Sequence, residues 1–126
     1  MELDGEMRFC TAVMELAVKH LKAPYPMQRY IEMKSGSSRP ITAPELDDER
    51  RAFHQSYLSA ARFFLEPESS SFEWMTCAVK IDANAIREGV ARIIVARYES
   101  DPSCFDFAIQ VVGLAKECLH SEVDGA

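Results

Sequence analysis

Asn84 and Arg87 stand three residues apart behind the stretch "KID", so a helix starting there carries both near its leading turn. Their chemistry suits base recognition, because an amide pairs bidentately with adenine and a guanidinium with guanine. A helix entering a major groove by its N-terminal end would turn Asn84, Arg87 and Glu88 toward base edges. Lys80, just before it, and Arg92, further along, would then contact phosphates. The competing reading makes Arg87, Glu88 and Arg92 an ordinary solvated helix face.

A second chemical theme is acidic and aromatic. Asp101, Asp106, Glu117, Glu122 and Asp124 dominate the last segment, a surface suited to a basic, nucleic-acid-binding partner or simply to solubility. Phe63, Phe64, Phe72 and Trp74 cluster around one loop. Trp74 is expected to anchor the neighbouring corner in the core, since a buried indole contributes a large apolar area. In the alternative, a partner-binding patch, Phe72 or Trp74 is exposed. The run "ELDDER" reads as the acidic first turn of a helix.

Catalytic and metal signatures are not found. Glu117 and His120 make one Glu-x-x-His pair, whereas carboxylate-bridged iron bundles use two. Cys104, Cys118 and His120 lack a standard zinc spacing, and His20, His54 and His120 fall on three different predicted helices. The four cysteines are widely separated, with no C-x-x-C pair, and a reducing compartment would leave them as small buried hydrophobes. There is no glycine-rich phosphate loop, nucleophile elbow or paired-carboxylate constellation. Neither enzymatic activity nor a cofactor or metal is expected.

The elements that would position these residues follow from pattern and punctuation. A chain of 126 residues, 48% hydrophobic and 27% charged, fits one soluble domain, residues 1–126, and no apolar run is long enough to span a bilayer. The acidic N-terminus is unlike a secretory signal, so a cytoplasmic location without membrane attachment is expected. The net charge of −6 disfavours bulk electrostatic capture of nucleic acid, although residues 69–98 carry a slight positive excess.

Residues 6–22 place Phe9, Val13, Leu16, Ala17 and His20/Leu21 on one helical stripe, ended by Pro24 and Pro26. "MQRYIEMK" is a candidate short helix before the loop "SGSSRP". Thr42 and Glu45 form a capping pair for a long helix bearing Leu46, Phe53, Tyr57, Ala60, Ala61 and Phe64, which should stop before Pro67. Ser70 and Glu73 open another helix to about Val79. Asp82 caps one carrying Ile86, Val90, Ile93, Ile94 and Ala96. Asp101-Pro102 starts an acidic last helix over about 102–121, burying Phe105, Ala108, Val112, Ala115 and Leu119. No alternating strand pattern bounded by hairpin turns stands out. The expectation is all-α: a five- or six-helix orthogonal bundle containing a helix-turn-helix-like corner over about 71–98.

Laid on the helix-turn-helix template, Met75, Val79, Ile81 and Ile86 take the apolar positions and Thr76 the close contact between helices. Lys80 occupies the turn position that glycine usually holds, where a left-handed backbone would cost about 1 kcal/mol.

The stretch "ARFFLEPESSSFEWMTCAVKIDANAIREGVAR" resembles a segment of small, mostly uncharacterised phage and bacterial proteins. The matching residues are Phe63, Phe64, Ser71, Phe72, Trp74, Ile81, Asp82, Ile86 and Arg87, about a quarter of the chain being covered. Where that pattern usually has Leu-Gly and Asp-Pro, this chain has Val79-Lys80 and Asp82-Ala83. The resemblance implies a phage or mobile-element origin and a helix-turn-helix-like unit. The expectation is therefore a small regulatory protein that binds double-stranded DNA through Lys80, Asn84, Arg87, Glu88 and Arg92, with a homodimer as the form usual for such readers. The alternative is an acidic interaction module that binds a basic host protein through Phe72, Trp74, Asp101, Asp106 and Glu117, inhibiting or redirecting a nucleic-acid-handling complex.

Overall fold

The capping pair at Thr42 is realised in full. Thr42 Oγ1 accepts the Glu45 amide at 3.3 Å, and the Glu45 carboxylate accepts the Thr42 amide at 3.0 Å. Arg39 grips the same carboxylate through both its terminal nitrogens at 2.7 and 2.8 Å. The Arg39 guanidinium and the Thr42 donors hold the Glu45 carboxyl down to about 2. From this cap runs α2 (Ala43–Leu65), which ends ahead of Pro67 in the sequence. In this computed structural model the backbone is described for residues 2–66 and 70–124, and side chains for residues 5, 7–66 and 71–120.

Around α2 pack α1 (Glu2–Lys22), α3 (Ser70–Val79), α4 (Ala83–Ser100) and α5 (Ile109–Asp124), making an all-α bundle of five helices among the described residues. The core gathers Leu21 of α1, Tyr57 and Phe64 of α2, Phe72 of α3, Ile94 of α4 and Val111 of α5, all almost completely buried. Burial pushes the Tyr57 hydroxyl up to about 12. α4 packs on each of the other four helices and most extensively on α5. No described helix is long and apolar enough to cross a membrane.

Four expectations need correction. The predicted helix over "MQRYIEMK" is a hairpin: β1 (Tyr30–Glu32) pairs antiparallel with β2 (Ser38–Pro40), Tyr30 opposite Pro40. Three-residue strands with only one inward residue each are too short for alternation to show. The turn needs Gly36 at φ 85°, a backbone that glycine reaches without steric cost. α5 begins seven residues later than Pro102, after a turn and a 3-10 segment over Asp106–Ala108. That detour sets Phe105 into the core, 3% exposed.

The third correction concerns α1, which buries Cys10, Met14 and Leu21. Phe9 and Leu16, expected inside, are 61% and 55% exposed. The expected stripe is split: Leu21 is buried and Val13 and Ala17 pack partly buried against the core, while Phe9 and Leu16 face outward. Fourth, Ala96 and Cys77 are exposed rather than buried. The capping contact expected of Ser70, and the acidic side chains of Glu122 and Asp124, lie outside the described side chains.

Candidate interaction surfaces around the α3–α4 corner

The bend expected at Lys80–Asp82 is present and its geometry is a helix C-cap. Ile81 donates its amide to Thr76 O at 2.9 Å and Lys80 donates to Cys77 O at 3.2 Å. These are the paired bonds of a Schellman motif, which ends a helix on one left-handed residue. Lys80 is that residue, at φ 57°. Thr76, 3% exposed, donates its hydroxyl back to Glu73 O at 3.0 Å and leaves no unpaired polar atom at the crossing. Asp82 then caps α4 by accepting the Asn84 amide at 2.9 Å. Lys80→Gly should stabilise the fold by about 1 kcal/mol, because glycine removes the left-handed penalty at the cost of some chain entropy. A urea titration reads this as a higher midpoint at unchanged slope.

The leading edge of α4 is open at Lys80 and Asn84, both exposed. Arg87 is placed differently from its expected role. Its Nε donates to Phe64 O at 2.8 Å, its Nη2 to Glu73 Oε1 at 3.3 Å, and its guanidinium lies 4.9 Å from the centre of the Phe72 ring. With its side chain 17% exposed, it ties α4 to the last turn of α2 and would have to abandon these contacts to reach a base. Glu88 is the partner of Arg92, one turn further on. Arg92 is well exposed, but its charge is locally balanced. The structure thus brings Lys80 and Asn84 together at one end, draws Arg87 inward and couples Glu88 to Arg92.

The aromatic candidates separate just as sharply. Phe72 is fully buried, edge-on to Phe63 and Phe64 at 5.6 and 5.3 Å, so it cannot meet a partner. Trp74, expected to anchor the core, is 57% exposed. Ile81, assigned a core position by the template, is 45% exposed. The Schellman turn sends the chain outward there, and the core side of the corner is filled by Met75, Val79 and partly buried Ile86. Trp74 and exposed Cys77 lie three residues apart on the outer side of α3, and exposed Ile81 follows just beyond its C-terminal turn, so that the three form an apolar patch at the corner. Sequence reasoning missed Cys77 as a surface residue because both sides of this helix are apolar, and Ile81 because the left-handed turn at Lys80 ends the helical period before it.

The acidic candidates are on the surface. Asp101 ends α4 and accepts hydrogen bonds from Ser103 Oγ at 3.0 Å and the Cys104 amide at 3.4 Å. The Cys104 and Ser103 side chains hold its carboxyl below the usual range. Asp106 and Glu117 are exposed and take part in no ion pair among the described residues. No group of three histidine, cysteine, aspartate or glutamate side chains is placed to hold a metal ion among the described residues. His54 stacks on Phe107 at 3.9 Å, and burial, with the nearby Arg50 charge, pushes its pKa down.

Beyond the corner, a cleft of about 380 Å³ lies between α1 and α2, bordered by Val13, Leu16, Ala17 and His20 on one side and Ser56, Ser59 and Ala60 on the other. No known protein family, curated protein or solved structure matches the chain.

Proposed function

We propose that this chain is a non-enzymatic interaction module that docks on a basic protein partner through the outer side of α3. The observation that carries this reading is the exposure of Trp74, beside exposed Cys77 on α3 and exposed Ile81 just past its end. An indole more than half in water contributes little to the fold's own stability, yet tryptophan is among the residues most enriched where protein partners bind most strongly. The overall charge of −6, with Asp101, Asp106 and Glu117 exposed, favours a basic partner such as a component of a nucleic-acid-handling complex. In this reading the corner is scaffold: Arg87 and Phe72 hold α3 against α2 and α4, and α3 presents the patch.

Trp74→Ala should leave the far-ultraviolet circular dichroism and melting temperature nearly unchanged while abolishing capture of the partner from the native host. Asp106→Asn with Glu117→Gln should weaken capture and make it less sensitive to salt. A wild-type chain that retains nothing which Trp74→Ala fails to retain would overturn the proposal.

A regulatory role on double-stranded DNA, of phage or mobile-element type, is the second reading. It is favoured by the sharp bend at Lys80 and by Asn84 on the open leading edge of α4. It would rely on Lys80, Asn84 and an Arg92 released from Glu88, with Arg87 in a supporting place. A gel shift at low salt tests it. Binding that is lost in Asn84→Ala supports it, and the absence of any shift ends it.

A further inference from the structure

The exposed side of α1 has a symmetry of its own. Gly5, Phe9, Ala12 and Leu16 recur at helical steps along it, with Phe9 and Leu16 61% and 55% exposed. Beside them run Arg8 and Glu15, both exposed and engaged in no ion pair among the described residues. Phe9 and Leu16 lie on either side of Ala12, and so do Arg8 and Glu15, with opposite charges. A second copy of the helix laid antiparallel across Ala12 therefore sets Phe9 against Leu16 and Arg8 against Glu15, twice over. A two-fold interface requires such a self-complementary patch, whereas an unrelated partner has no need of it.

We propose that α1 is the interface of an antiparallel homodimer, in which Phe9 of each copy enters the partner's α1–α2 cleft beside Leu16 and Arg8 pairs with the partner's Glu15. The cleft fits this use. It is open, about 380 Å³, and is walled by Val13, Leu16 and Ala17 of α1 and by the small residues Ser56, Ser59 and Ala60 of α2. Gly5 and Ala12 carry little or no side chain on the facing stripe, and a side chain built at Gly5 would meet open space. Two helix backbones can therefore approach closely at the axis. The charges set the direction: a parallel pairing would place Arg8 on Arg8 and Glu15 on Glu15.

Sedimentation equilibrium at tens of micromolar chain should show a dimer. Phe9→Asp should raise its dissociation constant by about 100-fold or more, since two phenyl rings lose their burial. The monomer's circular dichroism should be unchanged, because Phe9 is outside the core. Arg8→Glu and Glu15→Arg should each weaken the dimer by about tenfold, and the double variant, which restores both pairs with reversed sign, should recover it. A wild-type chain that stays monomeric, or a double variant as weak as the single ones, would overturn the proposal. This interface is carried by a different helix from the Trp74 patch, so either surface can fail its test without the other.

Discussion

Phe72→Ala should lower the stability of the fold by about 4 kcal/mol, whereas Trp74→Ala, two residues on, should change it by less than about 1 kcal/mol. Phe72 has no exposed surface, and its ring stands edge-on to Phe63 and Phe64 while its face receives the Arg87 guanidinium. Truncation removes the transfer energy of a whole phenyl group, leaves a cavity between α2 and α3, and takes away the platform under a largely buried cation. Trp74 lies 57% in water and gives the core little. Urea unfolding followed by circular dichroism separates the two. Because domains of this size are stable by only about 5–15 kcal/mol, the alanine at 72 should remove between about a quarter and four fifths of that stability and lower the midpoint in proportion. Equal losses for the two variants would mean that the indole is packed, which would remove the support for a partner-binding α3.

The same pair of residues shows what the sequence could and could not reveal. That a helix runs from Ser70 to Val79 and turns sharply at Lys80 was legible from the apolar spacing, the Asp82 cap and the place where glycine is usual. Which side of that helix faces inward was not. Phe72, Met75, Thr76 and Val79 make one stripe and Trp74 and Cys77 another apolar side, and periodicity alone does not say which one a neighbouring helix covers. α1 posed the same ambiguity, where Cys10 and Met14 prevailed over Phe9 and Leu16, although Leu21 of the expected stripe is inside. α2 posed none, since its other sides are charged and its stripe from Leu46 to Phe64 is buried as expected. Where a helix carries surplus apolar surface the inward choice is made by tertiary packing, and the stripe left outside is the place to look for partners. Arg87 was misread for a related reason: spacing placed it on a leading turn but could not show that Phe64 O, an open carbonyl at the end of α2, lay within its reach.

Arg97→Met should cost about 3 kcal/mol, and the reason lies in how α4 is used. Helix ends leave four carbonyls without intrahelical donors, and a cation there also meets the negative end of the helix dipole. α4 closes two such ends with its own arginines. Arg87 donates to Phe64 O in the last turn of α2. Arg97 Nη1 donates to Leu21 O at 2.6 Å and Ala23 O at 2.7 Å, where α1 stops, with its guanidinium 4.6 Å from the centre of the Phe105 ring and 5.9 Å from that of Phe53. Methionine keeps the apolar stem but loses two charge-assisted bonds, each worth about 1.5–3 kcal/mol less the water that replaces it, together with the ring contacts. Arg87→Met, which loses one short bond to a carbonyl and a longer one to Glu73, should cost about 2 kcal/mol. The two positions are about 15 Å apart along the helix and share no partner, so the double variant should show close to the sum in a urea titration. Arg97→Lys should recover only part of the loss, since an ammonium lacks the planar fork that lies over Phe105. A cost below about 1 kcal/mol for Arg97→Met would mean that the end of α1 is held by other contacts, and that α4 is not the strut joining the ends of α1 and α2.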